Sequence, residues 1–153
     1  MTSAPVIIKK EVTINKPVDV LWTLIEPAEN ICKWFPMADK SELLSGQGKG
    51  RMQKIFSKWG NKHAQIEQEV VEYEPKRLIR WKHIKELLDG KPAPNISKET
   101  YFSISLSPID KGTIVTLQSE NYPDNFFKGL LLRLIAKRRI DEALEKSLKI
   151  LSN

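Results

Sequence analysis

The sequence predicts an α+β fold in which a curved antiparallel sheet of seven strands wraps around one long C-terminal helix. Three observations lead there. From Lys40 to Glu120 the apolar pattern is mostly of period two, broken by short turn-forming stretches. From Asp124 to Leu151 there is no proline, and the apolar residues recur at helical spacing. A sheet with one apolar face and a helix with one apolar stripe must then cover each other.

The elements run in order along the chain. Ile8, Val12 and Ile14 share one face of a strand over residues 6–14, with Lys9, Glu11 and Thr13 opposite and Lys10 interrupting the inward face. Pro17 suits a first helical turn, since its missing N–H would be unpaired there. Val18, Leu21, Trp22 and Ile25 have helical spacing until Pro27, and a second short helix over 29–33 leads into Trp34-Phe35-Pro36. Strands are expected at about 40–46, 49–58, 63–74, 77–87, 98–108 and 112–120, joined by short turns and therefore antiparallel. Gly90 to Asn95 reads as a long hairpin loop. In the tail, Asp124 or Asn125 can cap the helix. Phe126, Phe127, Leu130, Leu131, Leu134 and Ile135 fill one arc, and Ile140, Leu144, Leu148 and Leu151 fill another, rotated by about 80°. A straight helix cannot bury both, so a bend near Lys137–Arg139, or two partners for the two halves, is expected.

Size and composition bound the function. The chain has 153 residues, 41% apolar and 29% charged, enough for one domain that folds without a metal or disulfide staple. The single cysteine, Cys32, fits a reducing compartment, and a cytoplasmic location is expected. The apolar stretch Pro5–Ile8 is too short for a signal peptide. The stretch Phe126–Ala136 is interrupted by Lys128, Gly129 and Arg133, so no spanning helix is expected. The net charge of +6 comes mainly from residues 40–62, with a net of +5, and from Arg133, Lys137, Arg138 and Arg139. Nucleic-acid binding is not expected, because no recognition motif or cluster of stacking aromatics accompanies that charge. Nothing in the pattern fixes an oligomeric state.

Four segments together resemble the START/Bet v 1-like superfamily, including its polyketide cyclase/dehydrase-like families. They are Val12-Thr-Ile-Asn-Lys-Pro-Val-Asp-Val-Leu-Trp22, Lys33-Trp-Phe-Pro36, Val70-Val-Glu-Tyr-Glu-Pro-Lys-Arg-Leu78 and Leu106-Ser-Pro-Ile-Asp-Lys-Gly-Thr-Ile-Val-Thr116. The resemblance covers nearly the whole chain. It implies the helix-grip fold, one domain over residues 1–153, and a ligand cavity between sheet and C-terminal helix.

Alternation assigns a lining to that cavity. Phe102, Ile104, Val115 and Leu117 face the helix, because their neighbours are Ser103, Ser105, Thr116 and Gln118. Ile66 carries Gln68 inward, and Ile79 and Trp81 carry His83. On the preceding strand Met52 and Phe56 bring Lys54, although Ile55 favours the opposite register. Trp22 and Trp34 are expected to pack the core and the cavity mouth. Phe127 and Leu131 line the cavity from the helix. The mouth is expected near Trp34–Pro36, Gly90–Asn95 and the start of the last helix.

The chemistry is sparse. Gln68 and His83 are the favoured polar handles in an apolar pocket, ahead of Lys10 and Lys54. His83 is also the candidate general acid or base, with Tyr101 behind it because its strand points it outward. His63, His83 and Cys32 have no metal-ligand spacing, and no cofactor is expected. Glu67, Glu69, Glu72 and Glu74 lie on outer faces. Gly46-Gln-Gly-Lys-Gly50 is a hairpin turn rather than a phosphate loop. Trp59 is expected at a hairpin tip. The arc Phe126–Ile135 is expected to cover the sheet, with a transient membrane contact as the second reading of its basic flank. The leading functional expectation is binding of a hydrophobic or amphipathic small molecule. The alternatives are a cyclase- or aromatase-like enzyme and an interaction module resembling activators of the Hsp90 ATPase.

Overall fold

The computed structural model describes residues 4–94 and 97–153. Residues 1–3, and Asn95 at the end of the expected loop, lie outside the described residues. The chain runs β1 (Val6–Ile14), α1 (Val18–Ile25), a 3-10 turn (Ala28–Asn30), α2 (Ile31–Trp34), β2 (Lys40–Ser45), β3 (Met52–Trp59), β4 (Lys62–Glu74), β5 (Leu78–Leu88), β6 (Lys91–Pro92), β7 (Ser97–Ile109) and β8 (Gly112–Pro123). It ends in α3 (Phe126–Leu131), a π-helical segment (Leu132–Ala136) and α4 (Lys137–Ser152). The sheet order is β1-β8-β7-β5-β4-β3-β2, with β6 paired only to β5, and the pairings are antiparallel. This is the expected helix-grip arrangement: a curved antiparallel sheet and a long C-terminal helix.

Three local differences stand out, and turn geometry explains the first two. Gly46, Gly48 and Gly50 have positive φ, so the glycine-rich stretch is a turn and β3 starts at Met52. Asp89 and Gly90 also have positive φ, which makes them a tight two-residue turn, so Lys91–Pro92 pairs back as β6 where a long loop was expected. Strand β8 runs to Pro123 rather than stopping at Glu120.

The concave face of the sheet and α4 share one core, in which Ile14, Leu21, Ile25, Trp34, Val70, Ile79, Trp81, Ile104, Val115, Leu117, Leu144 and Leu151 are almost wholly buried. Each large apolar side chain buried there contributes about 1.5–3 kcal/mol. The opening motif, the β7–β8 hairpin and the C-terminus are tied together. Thr113 Oγ1 donates to the Lys16 carbonyl at 2.8 Å, and the Lys16 ammonium donates to the carbonyls of Leu151 and Asn153.

The last helix departs most from expectation. Its N-terminus is capped by Asn125, whose side chain accepts the Lys128 N–H at 2.9 Å. The discontinuity falls at the π-helical segment, just before the expected bend at Lys137–Arg139. A π turn holds one extra residue, which re-phases the residues after it. The inward stripe therefore runs Gly129, Leu132, Ala136, Ile140, Leu144, Leu148 and Leu151, all buried or half-buried. The arc expected to lie on the sheet faces solvent instead, with Phe126, Phe127, Leu134 and Ile135 each about two-thirds or more exposed.

Candidate functional site

The inner faces of β3, β4, β5 and β7 carry two adjoining features, an aromatic cluster and a polar row. The cluster is built by α2 and two paired strands. Trp81 of β5 pairs with Phe102 of β7, their rings 5.5 Å apart and stacked. From α2 and its C-cap, Trp34 lies 6.4 Å from both rings, and Phe35 lies 5.3 Å from Phe102. Trp34 and Trp81 are sealed, whereas Phe35 and Phe102 are half-buried. Both sealed tryptophans carry an indole N–H with no hydrogen-bond partner among the described residues. A buried donor left unpaired costs about 1–3 kcal/mol.

The polar row crosses three strands. Arg51 donates to the Glu26 carbonyl at 2.7 Å, to Glu26 Oε1 at 3.0 Å and to Gln53 Oε1 at 3.1 Å. Gln53 Nε2 donates to Gln68 Oε1 at 2.8 Å, and Gln68 pairs in register with His83. His83 Nδ1 lies 2.7 Å from Glu86 Oε1. A carboxylate only accepts, so Nδ1 carries a proton, and in the neutral ring Nε2 is the free acceptor or base. A bulge in β5 makes this pair possible. The register steps from Glu67↔Lys85 to Gln68↔His83, which skips Ile84 and puts Glu86 on the same face as His83.

Burial and charge set the titration of the row. Desolvation pulls the Arg51 guanidinium below its usual value, opposed by the Glu26 carboxylate, and it stays cationic. Burial, then the nearby Glu26 charge, pushes the Tyr73 phenol up. The hydrogen bond from His83 pulls the Glu86 carboxyl below its usual range. This last shift has a stability consequence. Its contribution is fully present above the unfolded value of about 4.3 and is lost as the pH falls through the lower folded value. Glu86→Gln should therefore flatten the acid-side loss of stability relative to the unmodified chain, which thermal melts between neutral and acidic pH would show.

The expected lining residues separate into groups. Ile79, Ile104, Val115 and Leu117 are sealed beneath the surface, as are Trp34 and Trp81. Ile66, Gln68, His83 and Phe102 sit on the concave face as expected, and Leu131 is half-buried. Trp22 packs on Tyr73 at 5.8 Å, beside Glu26 and away from the aromatic cluster. Two expectations are overturned. Met52 and Phe56 lie on the outer face with Lys54, because β3 turns Gln53, Ile55 and Ser57 inward. Lys40 and Lys54 instead lie over the Phe56 ring, at 5.4 and 5.8 Å. Phe127 is 66% exposed on the outward arc of α3. Lys10 does face inward, where it pairs with Asp141 of α4 at 3.2 Å.

Alternation alone misses several polar residues of this face. Arg51 and Gln53 are lost with the wrong parity in β3. Ser119 and Asn121, bonded to each other at 3.1 Å, continue the alternation of Val115 and Leu117 once β8 is long enough. Glu86 needs the bulge and has no signal in the sequence. A separate open groove of about 590 Å³ lies at the far end of the row, lined by Glu26, Glu29, Leu43, Gly46, Gly48, Arg51 and Tyr73 among others. It is away from the expected mouth.

The family described as polyketide cyclase/dehydrase and lipid transport matches residues 5–152. The chain belongs to that family. Among solved structures, this family member is similar to ginseng major latex-like protein 151 from Panax ginseng, with a TM-score of 0.73 at 11% identity over 98% of this chain and 97% of that one. A protein from Thermus thermophilus gives a TM-score of 0.73 at 17% identity, over 96% and 94% of the two chains. The di-domain ARO/CYC protein StfQ of the steffimycin biosynthetic pathway gives 0.70 at 11% identity, over 97% of this chain and 49% of that one. At such identities these likenesses establish the fold, which is Bet v 1-like. Comparison with curated proteins gave no sequence match. The family membership supports a ligand-binding or cyclase-type role. Among the described residues, no helix is long and apolar enough to cross a membrane, and no group of three or more His, Cys, Asp or Glu side chains is placed to hold a metal ion.

Proposed function

We propose that this family member binds a hydrophobic or amphipathic small molecule, lipid-like or polyketide-like, over the concave face between the sheet and the last helix. The observation that carries this reading is the pair of unpartnered indole N–H groups of Trp34 and Trp81 beneath half-buried Phe35 and Phe102. Apolar burial would supply most of the affinity, at about 25 cal/mol per Å². Both indoles are sealed, so a ligand would reach them as the half-buried Phe35 and Phe102 move aside; its carbonyl or hydroxyl would then accept from an indole, and Gln68 and His83 would orient the polar end. The family's description, polyketide cyclase/dehydrase and lipid transport, is consistent with a lipid-like or polyketide-like ligand.

A thermal-shift screen of fatty acids, sterols and aromatic polyketides tests the reading. A ligand at a hundred times its Kd stabilises the folded chain by about 2.7 kcal/mol. At about 2–4 °C per kcal/mol, that raises Tm by several degrees. Phe102→Ala should abolish the shift while leaving a folded protein. A screen in which no compound raises Tm would contradict the reading.

The His83–Glu86 pair favours a second reading. Glu86 fixes the histidine tautomer and leaves Nε2 as a base beside an apolar floor, the arrangement a proton-moving cyclase would use. Turnover of a polyketide-type substrate that His83→Ala abolishes and Glu86→Gln reduces would support it. Binding without turnover would leave the carrier reading alone.

A further inference from the structure

We infer that the outward face of α3 and the following π-helical segment, together with the β3–β4 hairpin tip, forms a docking surface for an anionic lipid bilayer. This goes beyond ligand binding and stands whether or not the concave face takes a ligand.

The surface is apolar where a monomer needs no apolar face. Phe126 is 76% exposed, Leu134 72%, Ile135 69% and Phe127 66%, all along two turns. They are not a core stripe left ajar. Gly129 and Leu132 already occupy the inward side, and the Gly129 position is closed by Pro123, against which an added Cβ would lie at 3.2 Å. The helix is therefore seated on the protein by its small side, with its large apolar side turned out.

Its rim is basic. From Asn125 to Ile140 the sequence holds Lys128, Arg133, Lys137, Arg138 and Arg139 and no acidic residue. Lys128 is tied to Asp124 at 3.0 Å and Arg138 to Glu142 at 3.3 Å. A second element joins the same surface. The Arg139 guanidinium lies 5.3 Å over the ring of Trp59, which is half-exposed at the tip of β3–β4 between exposed Lys58 and Lys62. Exposed Phe, Leu, Ile and Trp bordered by Lys and Arg match an interface of acyl chains beneath anionic headgroups.

Charge complementarity selects the bilayer over a second copy of the chain. A two-fold contact puts the same patch on both sides, so this basic rim would face itself. An anionic membrane neutralises it.

The test is sedimentation of the full chain with vesicles of phosphatidylcholine alone and of phosphatidylcholine mixed with phosphatidylglycerol. Expected is binding to the mixed vesicles that weakens as salt is raised. It should fall about tenfold or more in Leu134→Glu and in the double variant Arg133→Glu/Lys137→Glu. Both variants change exposed side chains, so their Tm should match the unmodified chain, and thermal melts check this. Failure to sediment with mixed vesicles would overturn the inference. So would binding unchanged in Leu134→Glu, or concentration-dependent self-association that Leu134→Glu abolishes without any vesicle binding. Loss of small-molecule thermal shifts with vesicle binding intact would refute only the concave-face reading.

Discussion

Arg51→Ala is expected to cost about 3–5 kcal/mol of stability, from lost charge-assisted hydrogen bonds at about 1.5–3 kcal/mol each and a buried amide oxygen left unpaired. Arg51 is 3% exposed and satisfies three acceptors at once: the Glu26 carbonyl, the Glu26 carboxylate and Gln53. Its loss leaves Gln53, which is wholly buried, with an unpaired amide oxygen, and it loosens the Gln53–Gln68 bond next in the row. Arg51→Lys keeps the charge but not the planar fork and should fall between the two. Urea unfolding at neutral pH measures all three. A cost below about 1 kcal/mol for the alanine variant would place Arg51 among solvated surface pairs and contradict its structural role.

Gly112→Ala should be nearly as damaging, for a different reason. Gly112 starts β8 with φ of +132°, and a Cβ built there would stand 2.1 Å from the Ile14 carbonyl oxygen. Left-handed strain of about 1–2 kcal/mol then adds to an overpacking cost of about 1–3 kcal/mol. The contact is backbone, so no rotamer change relieves it. The strands must separate where Thr113 also ties Lys16 to the hairpin. Ser107→Ala, which removes an exposed hydroxyl one strand away, is the control and should be nearly silent. A Gly112→Ala protein with unchanged Tm would show that β1 does not approach the hairpin this closely.

These positions also show what the sequence made legible. The element order, antiparallel pairing and concave placement of Ile66, Gln68, Trp81, His83 and Phe102 followed from alternation, because on those strands one parity is clearly apolar. Strand β3 was ambiguous. Met52 and Phe56 argue for one parity and Ile55 for the other, and the outcome rests on Gln53 and Arg51 satisfying each other in the interior. A buried polar row that bonds within itself looks like a solvent face to any rule that reads apolarity. The last helix misled in the opposite sense. Its more hydrophobic arc, Phe126 to Ile135, is outside, and its smaller side, Gly129, Leu132 and Ala136, is inside. The π-helical segment that sets this phase has no mark in the residue pattern.

Four tryptophans make the central claim directly measurable. In ¹H–¹⁵N spectra of the uniformly labelled chain, each indole N–H gives its own signal. On titration with a ligand found by thermal shift, the Trp34 and Trp81 indole resonances should move downfield as their unpaired donors acquire an acceptor. Trp59, on the hairpin tip facing the basic rim, should stay in place. Movement of Trp59 alone, or of none of the four while Tm rises, would put the ligand somewhere other than the concave face and contradict the proposed site.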